Sequence, residues 1–282
     1  MNPGTPPLVG QMIDIALEED LGRGDVTTRL CVPTDARATG RVLARTSLTA
    51  SGMDVFAEVM RRVDEETSVT WHCREGDRVE AGSRMGEVAG RTASLLMGER
   101  VALNFLQRLC GTATMARRFA DALPSGCAVR LTDTRKTTPG LRYLERRAVL
   151  AGGGTNHRVD LGGGVLIKEN HIAAAGSISA AVGRCREQAP HPLRIEVEVT
   201  CDRELDEALA AGADIILLDN MTTDEIQRAV KKANGRALLE ASGGVNLQTA
   251  ADIARTGVSI ISVGAFTHSA PAADISFLIA AQ

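Results

Sequence analysis

From residue 128 to 264 the chain alternates short apolar runs with amphipathic stretches, and this alternation restricts the fold more than any other feature. The apolar runs are AVRLTDT (128–134), GVLIKE (164–169), LRIEVEV (193–199), DIILLDN (214–220), RALLEAS (236–242) and VSIISVG (258–264). Apolar residues at helical spacing occupy 140–150, 177–188, 202–211, 222–233 and 247–256 between them. Strands separated by helices pair in parallel, with the helices as cover. Six such units favour an α/β barrel, closed or open, over an open doubly wound sheet.

The first part of the chain has another texture. VGQMIDIALEED (9–20) predicts a helix followed by a loop, LGRGDVTT. ATGRVLA (38–44), SVTWH (68–72) and RMGEVAG (84–90) predict strands, with a helix over MDVFAEVMRRV between the first two. EGDRVEAGSRMGEV resembles a biotinyl or lipoyl carrier hairpin, yet such a carrier needs a lysine at the tip and the first lysine is Lys136. The run SLLMGERVALNFLQRLCGTA (94–113) is apolar on most faces, which predicts a buried helix at a domain or subunit boundary. Arg100 within it requires a carboxylate partner, from the protein or from a ligand.

Composition removes several classes. Aromatic residues make up 2% of the chain and the formal charge is -3; base-stacking platforms and phosphate-backbone binding both call for something else. No apolar run reaches the roughly 18 residues of a membrane span, and MNPGTPPLVG lacks the features of a secretory leader, so a cytoplasmic location is expected. Six dispersed cysteines without a C-x-x-C pair read as reduced thiols.

Against that background, 133–171 stands out. It holds seven basic and four acidic residues, two histidines and two glycine triplets. Lysine occurs only at positions 136, 168, 231 and 232. In a chain that otherwise uses arginine, Lys136 and Lys168 mark places for a compact point charge or a nucleophile. Followed to their C-terminal ends, the strands carry Asp133 with Arg135 and Lys136, then Lys168, Glu198, Asp219, Glu240 with Ser242, and Gly264. In a barrel these ends converge on one face. Its basic half (Arg135, Lys136, His157, Arg158, Lys168 and His171) suits a polyanion; its acidic half (Glu198 and Asp219) suits Mg²⁺ or a developing sugar cation. ASGGVN (241–246) and SVGAFTHSA (262–270) place small residues before helices, where barrels bind phosphate. Together these features suggest transfer of a phosphorylated sugar to a carboxylated acceptor.

DTRKTTPGLR, GGGTNHR, LIKENHI, EVEV, ILLDN, EASGGVN and VGAFTHS, together with EDLGRGDVTT near the start, resemble the quinolinate phosphoribosyltransferase family over nearly the whole chain. The resemblance implies an N-terminal α/β sandwich (1–114, rejoined by 267–282) and an open α/β barrel (115–266). It implies conversion of quinolinate and 5-phosphoribosyl 1-pyrophosphate, with Mg²⁺, into nicotinate mononucleotide, pyrophosphate and CO₂ in NAD synthesis, by a homodimer or higher homo-oligomer. By motif match, Arg135, His157, Arg158 and Lys168 hold the quinolinate carboxylates, with Arg100 reaching in from a neighbouring subunit. Lys136 and Lys168 contact the sugar phosphate, and Glu198 and Asp219 face the ribose and, directly or indirectly, the metal. Ser242, Gly243, Gly244, Gly264 and Ala265 line the phosphate site, and Lys136, Lys168, Glu198 and Asp219 carry the catalysis.

Two departures from the family pattern adjoin these positions: Glu169 stands where aspartate is commoner, and Gly162 to Gly164 precede the strand. Alternatives are a Schiff-base lyase using Lys168, a same-fold paralogue acting on another carboxylated ring, and a non-catalytic phosphate-binding barrel. The last leaves Glu198 and Asp219 without a purpose.

Overall fold

The structure, a computed structural model, describes residues 6–281. The opening MNPGT of the stretch read for a leader, and Gln282, lie outside the described residues. In chain order the elements are α1 (Pro7–Leu21), α2 (Val26–Cys31), β1 (Arg37–Ala44), β2 (Leu48–Thr49), α3 (Met53–Val63), β3 (Ser68–Trp71), β4 (Arg78–Val79), β5 (Arg84–Arg91), α4 (Thr92–Ala122), β6 (Arg130–Thr132) and α5 (Arg142–Ala151). They continue with β7 (Val165–Ile167), α6 (Glu169–Ala175), α7 (Ile178–Gln188), β8 (Ile195–Val199), α8 (Asp202–Ala210), β9 (Ile215–Asp219), α9 (Thr223–Ala233), β10 (Leu238–Ser242), α10 (Ala250–Arg255), β11 (Ile260–Ser262), α11 (Ala265–His268) and β12 (Ile275–Ala281). Two compact units result: one of residues up to Arg117, Thr137–Gly153 and Phe266 onward, the other of Arg118–Lys136 and Gly154–Ala265.

In the first unit an antiparallel sheet runs β12–β1–β5–β3, with β2 and β4 as a separate ribbon. Alternation in β1 buries Ala38, Val42 and Ala44 on one face, where they join Phe56, Met85, Val88, Leu95 and Leu106 in a single core. Gly40 is required there, because a Cβ at that position would lie 2.0 Å from Phe277 Cζ of the neighbouring β12. The helix read at 140–150 as one of those between the parallel strands, α5, belongs instead to this unit, with Leu144 and Ala148 in its core. Three short helices escape the periodicity: α2, α6 and the four-residue α11. The loop LGRGDVTT ends in α2, whose β-branched Val26, Thr27 and Thr28 are poor helix formers; Asp25 caps it by accepting the Thr28 N–H at 2.9 Å. α6, with no buried residue, offers no apolar stripe to read.

The polar side of α3 carries one testable consequence. Glu58, buried, accepts from Arg61 Nε and Nη2 at 3.0 and 2.9 Å and from Arg62 Nε at 2.8 Å. The Arg61 hydrogen bond foremost, helped by Arg62 and opposed by burial, lowers its pKa from 4.5 to about 2. A depressed acid stabilises the fold fully above pH 4.5, less below it, and not at all once pH has fallen through about 2. Glu58→Gln should therefore flatten the decline of the urea midpoint over that window. It should not abolish the decline, because Asp64, held low by Arg91 and then Ser94, still contributes. An unaltered pH profile would refute the assignment.

In the second unit a wholly parallel sheet runs β6–β11–β10–β9–β8–β7. Sequential neighbours are paired all the way round except β6 and β7, so the sheet is an α/β barrel open at one seam. The bridge Thr132↔Thr155 extends the β6 edge into that seam. Val197, Val199, Ile216, Leu218, Leu239, Ala241 and Ile261 are buried on the helix-covered side, with α7 and α8 against β8, α9 against β10 and α10 against β11. Side chains alternate along a strand; Glu196 with Glu198, Leu217 with Asp219, and Glu240 with Ser242 therefore share the barrel interior.

Candidate active site

β6 delivers the first group. Asp133, immediately after it, is fully buried, and its carboxylate accepts the Asn156 side-chain N–H at 2.6 Å and the His157 backbone N–H at 2.8 Å. That clasp ties the loop carrying His157 and Arg158 to the strand end from which Arg135 and Lys136 follow. Arg135 and Arg158 lie close enough to repel: burial first, then Arg135, lowers the Arg158 pKa. Two guanidiniums held together in this way attract an anion able to meet both. Arg158 Nη1 also donates to Gly164 O at 3.0 Å, which pins the second glycine triplet.

At the end of β7, Lys168 Nζ lies 2.6 Å from Glu198 Oε2 of β8. His171, expected in the basic half, instead accepts the Lys168 backbone N–H at 3.0 Å through Nδ1, closing the first turn of α6. Asp219 ends β9, where its carboxylate accepts from Asn220 Nδ2 at 2.8 Å. Asn220 has a positive φ of 54° and donates its backbone N–H to Ser242 O at 2.9 Å. Gly243, at φ +87°, packs so tightly on Asn220 that a Cβ would fall 2.3 Å from its Oδ1. Asp219 and the turn after β10 are thereby interlocked.

Ser242 ends β10 and Gly243 and Gly244 follow it, while Gly264 and Ala265 come after β11. Helices do not begin directly at the first of these turns, as the sequence suggested. α10 starts only at Ala250 and, like the four-residue α11, is short. An anion here would meet backbone N–H groups of the glycine turn rather than a strong helix dipole. Arg100 projects from the first unit, exposed on α4.

One group of side chains lies below the strand ends, and Glu240, read from the sequence as a strand end together with Ser242, belongs to it. Glu196, on the second residue of β8, and Glu240, in the middle of β10, both approach His157 Nε2, at 3.2 and 3.6 Å. His157 Nδ1 accepts the Arg158 backbone N–H at 2.8 Å, so the ring proton sits on Nε2, between the carboxylates. The two acids, Glu196 foremost, raise the proton affinity of His157, and burial raises that of Glu196. Period-two reading of IEVEV, which puts Glu196 on the same side as Glu198, is the signal that could have found it. These three residues are the group among the described residues whose ligand atoms lie within 4.8 Å of one another. A 3.2 Å N···O contact is a hydrogen bond in its own right. Mg²⁺ prefers oxygen donors with retained water, a set that Glu198 and Asp219 fit better.

Open barrel, paired guanidiniums, a lysine–glutamate pair and glycine turns define an α/β-barrel enzyme for anionic substrates. The sequence model for "Quinolinate phosphoribosyl transferase, C-terminal domain" matches residues 112–278, and that for the N-terminal domain matches 25–110. A probable carboxylating nicotinate-nucleotide pyrophosphorylase of Bacillus subtilis is 42% identical over 92% of this chain and 89% of its own length. A decarboxylating quinolinate phosphoribosyltransferase of Nicotiana tabacum is 39% identical over 95% of this chain and 81% of its own. The solved structure of the nicotinate-nucleotide pyrophosphorylase from Francisella tularensis superposes with a TM-score of 0.93 at 39% identity, covering 98% of each chain. The chain belongs to the quinolinate phosphoribosyltransferase family.

Proposed function

We propose that this enzyme transfers the phosphoribosyl group of 5-phosphoribosyl 1-pyrophosphate to quinolinate and decarboxylates the product, yielding nicotinate mononucleotide, pyrophosphate and CO₂ for NAD synthesis. The observation that carries the reading is the proximity of Arg135 to Arg158, with Lys168 following the end of β7 in the same barrel, within a chain of this family. Three cations suit two carboxylates better than one.

The residue roles are those that the family motifs imply, and they suit this chemistry. Arg135, Arg158, His157 and Lys168 orient the ring so that its nitrogen faces the anomeric carbon, with Arg100 supplied by a second copy in a homodimer or larger homo-oligomer. Lys136 holds a phosphate of the donor, and backbone N–H groups of Ser242, Gly243, Gly244, Gly264 and Ala265 hold another. Glu198 and Asp219 support positive charge at the anomeric carbon as the bond to pyrophosphate breaks and the ring nitrogen takes its place. The carboxylate beside that nitrogen then leaves as CO₂, its bonding pair remaining on the ring carbon until a proton replaces it.

Mg²⁺ suits Glu198 and Asp219, through water or directly, since Lys168 already engages Glu198 Oε2; bound there, it would draw charge onto the leaving pyrophosphate. No helix among the described residues is long and apolar enough to cross a membrane, and all six cysteines are free, which supports a cytoplasmic location. Quinolinate-dependent release of CO₂ and pyrophosphate, abolished by a chelator and restored by Mg²⁺, is the expected result. Acceptance of nicotinate with no release from quinolinate would sink the substrate assignment, and a fully active monomer would sink the shared-site arrangement.

A further inference from the structure

The basic face rests on acids that none of the roles above uses. Asp133, Glu196 and Glu240 are 0%, 4% and 1% exposed. Asp133 has the peptide and amide donors described above; the other two acids meet His157, with Arg158 also close enough to Glu196 to act on its charge, and Glu196 Oε1 and Glu240 Oε1 are buried without a hydrogen-bond partner. Stability alone gives no reason for this. Buried acids with incomplete hydrogen bonding cost free energy, and apolar residues of similar volume often serve a core as well or better. Their neighbours in the interior do not require them either. His157, Arg158, Arg130 and Arg194 line, with Glu196 and Glu240, a cavity of about 350 Å³ among the first residues of the strands, so on that side the pair borders open space rather than a packed layer.

What the acids do achieve is directional. Glu196 lies two residues before Glu198 on β8, and Glu240 two residues before Ser242 on β10, each on the same interior side. At about 3.3 Å per residue, both acids sit one layer of side chains below the face. They come from strands separated by β9 and converge on one nitrogen of one ring, at 3.2 and 3.6 Å. The other ring nitrogen takes the Arg158 backbone N–H at 2.8 Å. Two strands thus set the imidazole, the imidazole sets the Arg158 backbone, and Arg158 in turn reaches Gly164.

We propose that Glu196 and Glu240 are positioning residues for acceptor binding, fixing the His157 ring from within the barrel and through it the placement of Arg158. The proposal rests on the quinolinate reading above and extends it to two acids with no direct contact to substrate. In the roles proposed above they serve the acceptor end, while Lys136 and the glycine turns hold the donor.

Steady-state kinetics and quinolinate titration calorimetry on Glu240→Gln, Glu196→Gln and the double variant test this. The KM and Kd for quinolinate should rise at least about tenfold, since small displacements of a positioned binding group are costly, while KM for 5-phosphoribosyl 1-pyrophosphate stays unchanged and Tm holds or rises. In a cycle with Arg158→Ala, Glu240→Gln should add little further loss, because both act on one element. Additive losses, equal rises in both KM values, or quinolinate affinity like that of the unaltered enzyme would overturn the proposal. If the double variant does not fold, the single variants carry the same test. An unaltered enzyme that binds quinolinate without releasing CO₂ would overturn the reaction assignment and leave the positioning test readable by calorimetry.

Discussion

Lys168→Ala is expected to lower kcat by about 10²- to 10³-fold, the range seen when one preorganised charge is removed from a site where charge develops. Lys168 Nζ is 2.6 Å from Glu198 Oε2, so the variant both removes a cation from the acceptor's carboxylates and frees the acid assigned to the ribose. Lys168→Arg should rescue poorly, since a planar fork cannot replace a compact ammonium between an anion and a carboxylate at this distance. The check is single-turnover CO₂ release at saturating substrates. Turnover like that of the unaltered enzyme would remove Lys168 from the chemistry. Borohydride trapping of a covalent adduct on this lysine would reinstate the Schiff-base alternative.

The largest stability effect is expected in the first unit. Arg108 is the hub of the first unit: Nε and Nη2 donate to Glu145 Oε1 at 3.0 and 2.7 Å, Nη1 to Ala270 O at 3.0 Å and Nη2 to Thr138 Oγ1 at 3.2 Å. Glu145 has no exposed surface, and its other oxygen accepts the Thr138 backbone N–H at 3.0 Å. Arg108→Ala strips the cation from a buried carboxylate, which costs about 3–5 kcal/mol. That corresponds to a fall in Tm on the order of 10 °C for a unit of this size. Replacing both partners, as Arg108→Met with Glu145→Leu, should restore much of the loss, because the uncompensated charge goes with its partner. Calorimetry on the three proteins decides the matter; a loss below about 1 kcal/mol for Arg108→Ala would show that the ion pair is solvated and weak.

Legibility followed the range of the interactions involved. The helix expected over MDVFAEVMRRV is α3, because its amphipathy lies within a single helix; every strand expected between 128 and 264 likewise has its counterpart in β6 to β11. α5 shows the limit. Its own periodicity is helical, yet nothing local tells that its buried face meets Arg108 and the core of the first unit rather than the parallel sheet. The same holds for His171, whose spacing after Lys168 allows a site residue or a helix cap with equal ease, and whose Nδ1 closes the turn.

By itself the sequence determined the succession of strands in the barrel half, the amphipathic helices from α7 to α10, and the positions of Lys168, Glu198 and Asp219 at or near the strand ends. It also carried the motifs of the family, since each of these is written in contiguous residues. Tertiary structure alone decided that the barrel is open between β6 and β7, that Asn220 and Gly243 interlock, and that Glu196 and Glu240 converge on His157. Those outcomes depend on pairing register and on contacts between residues 23 to 83 positions apart, and no local pattern records them.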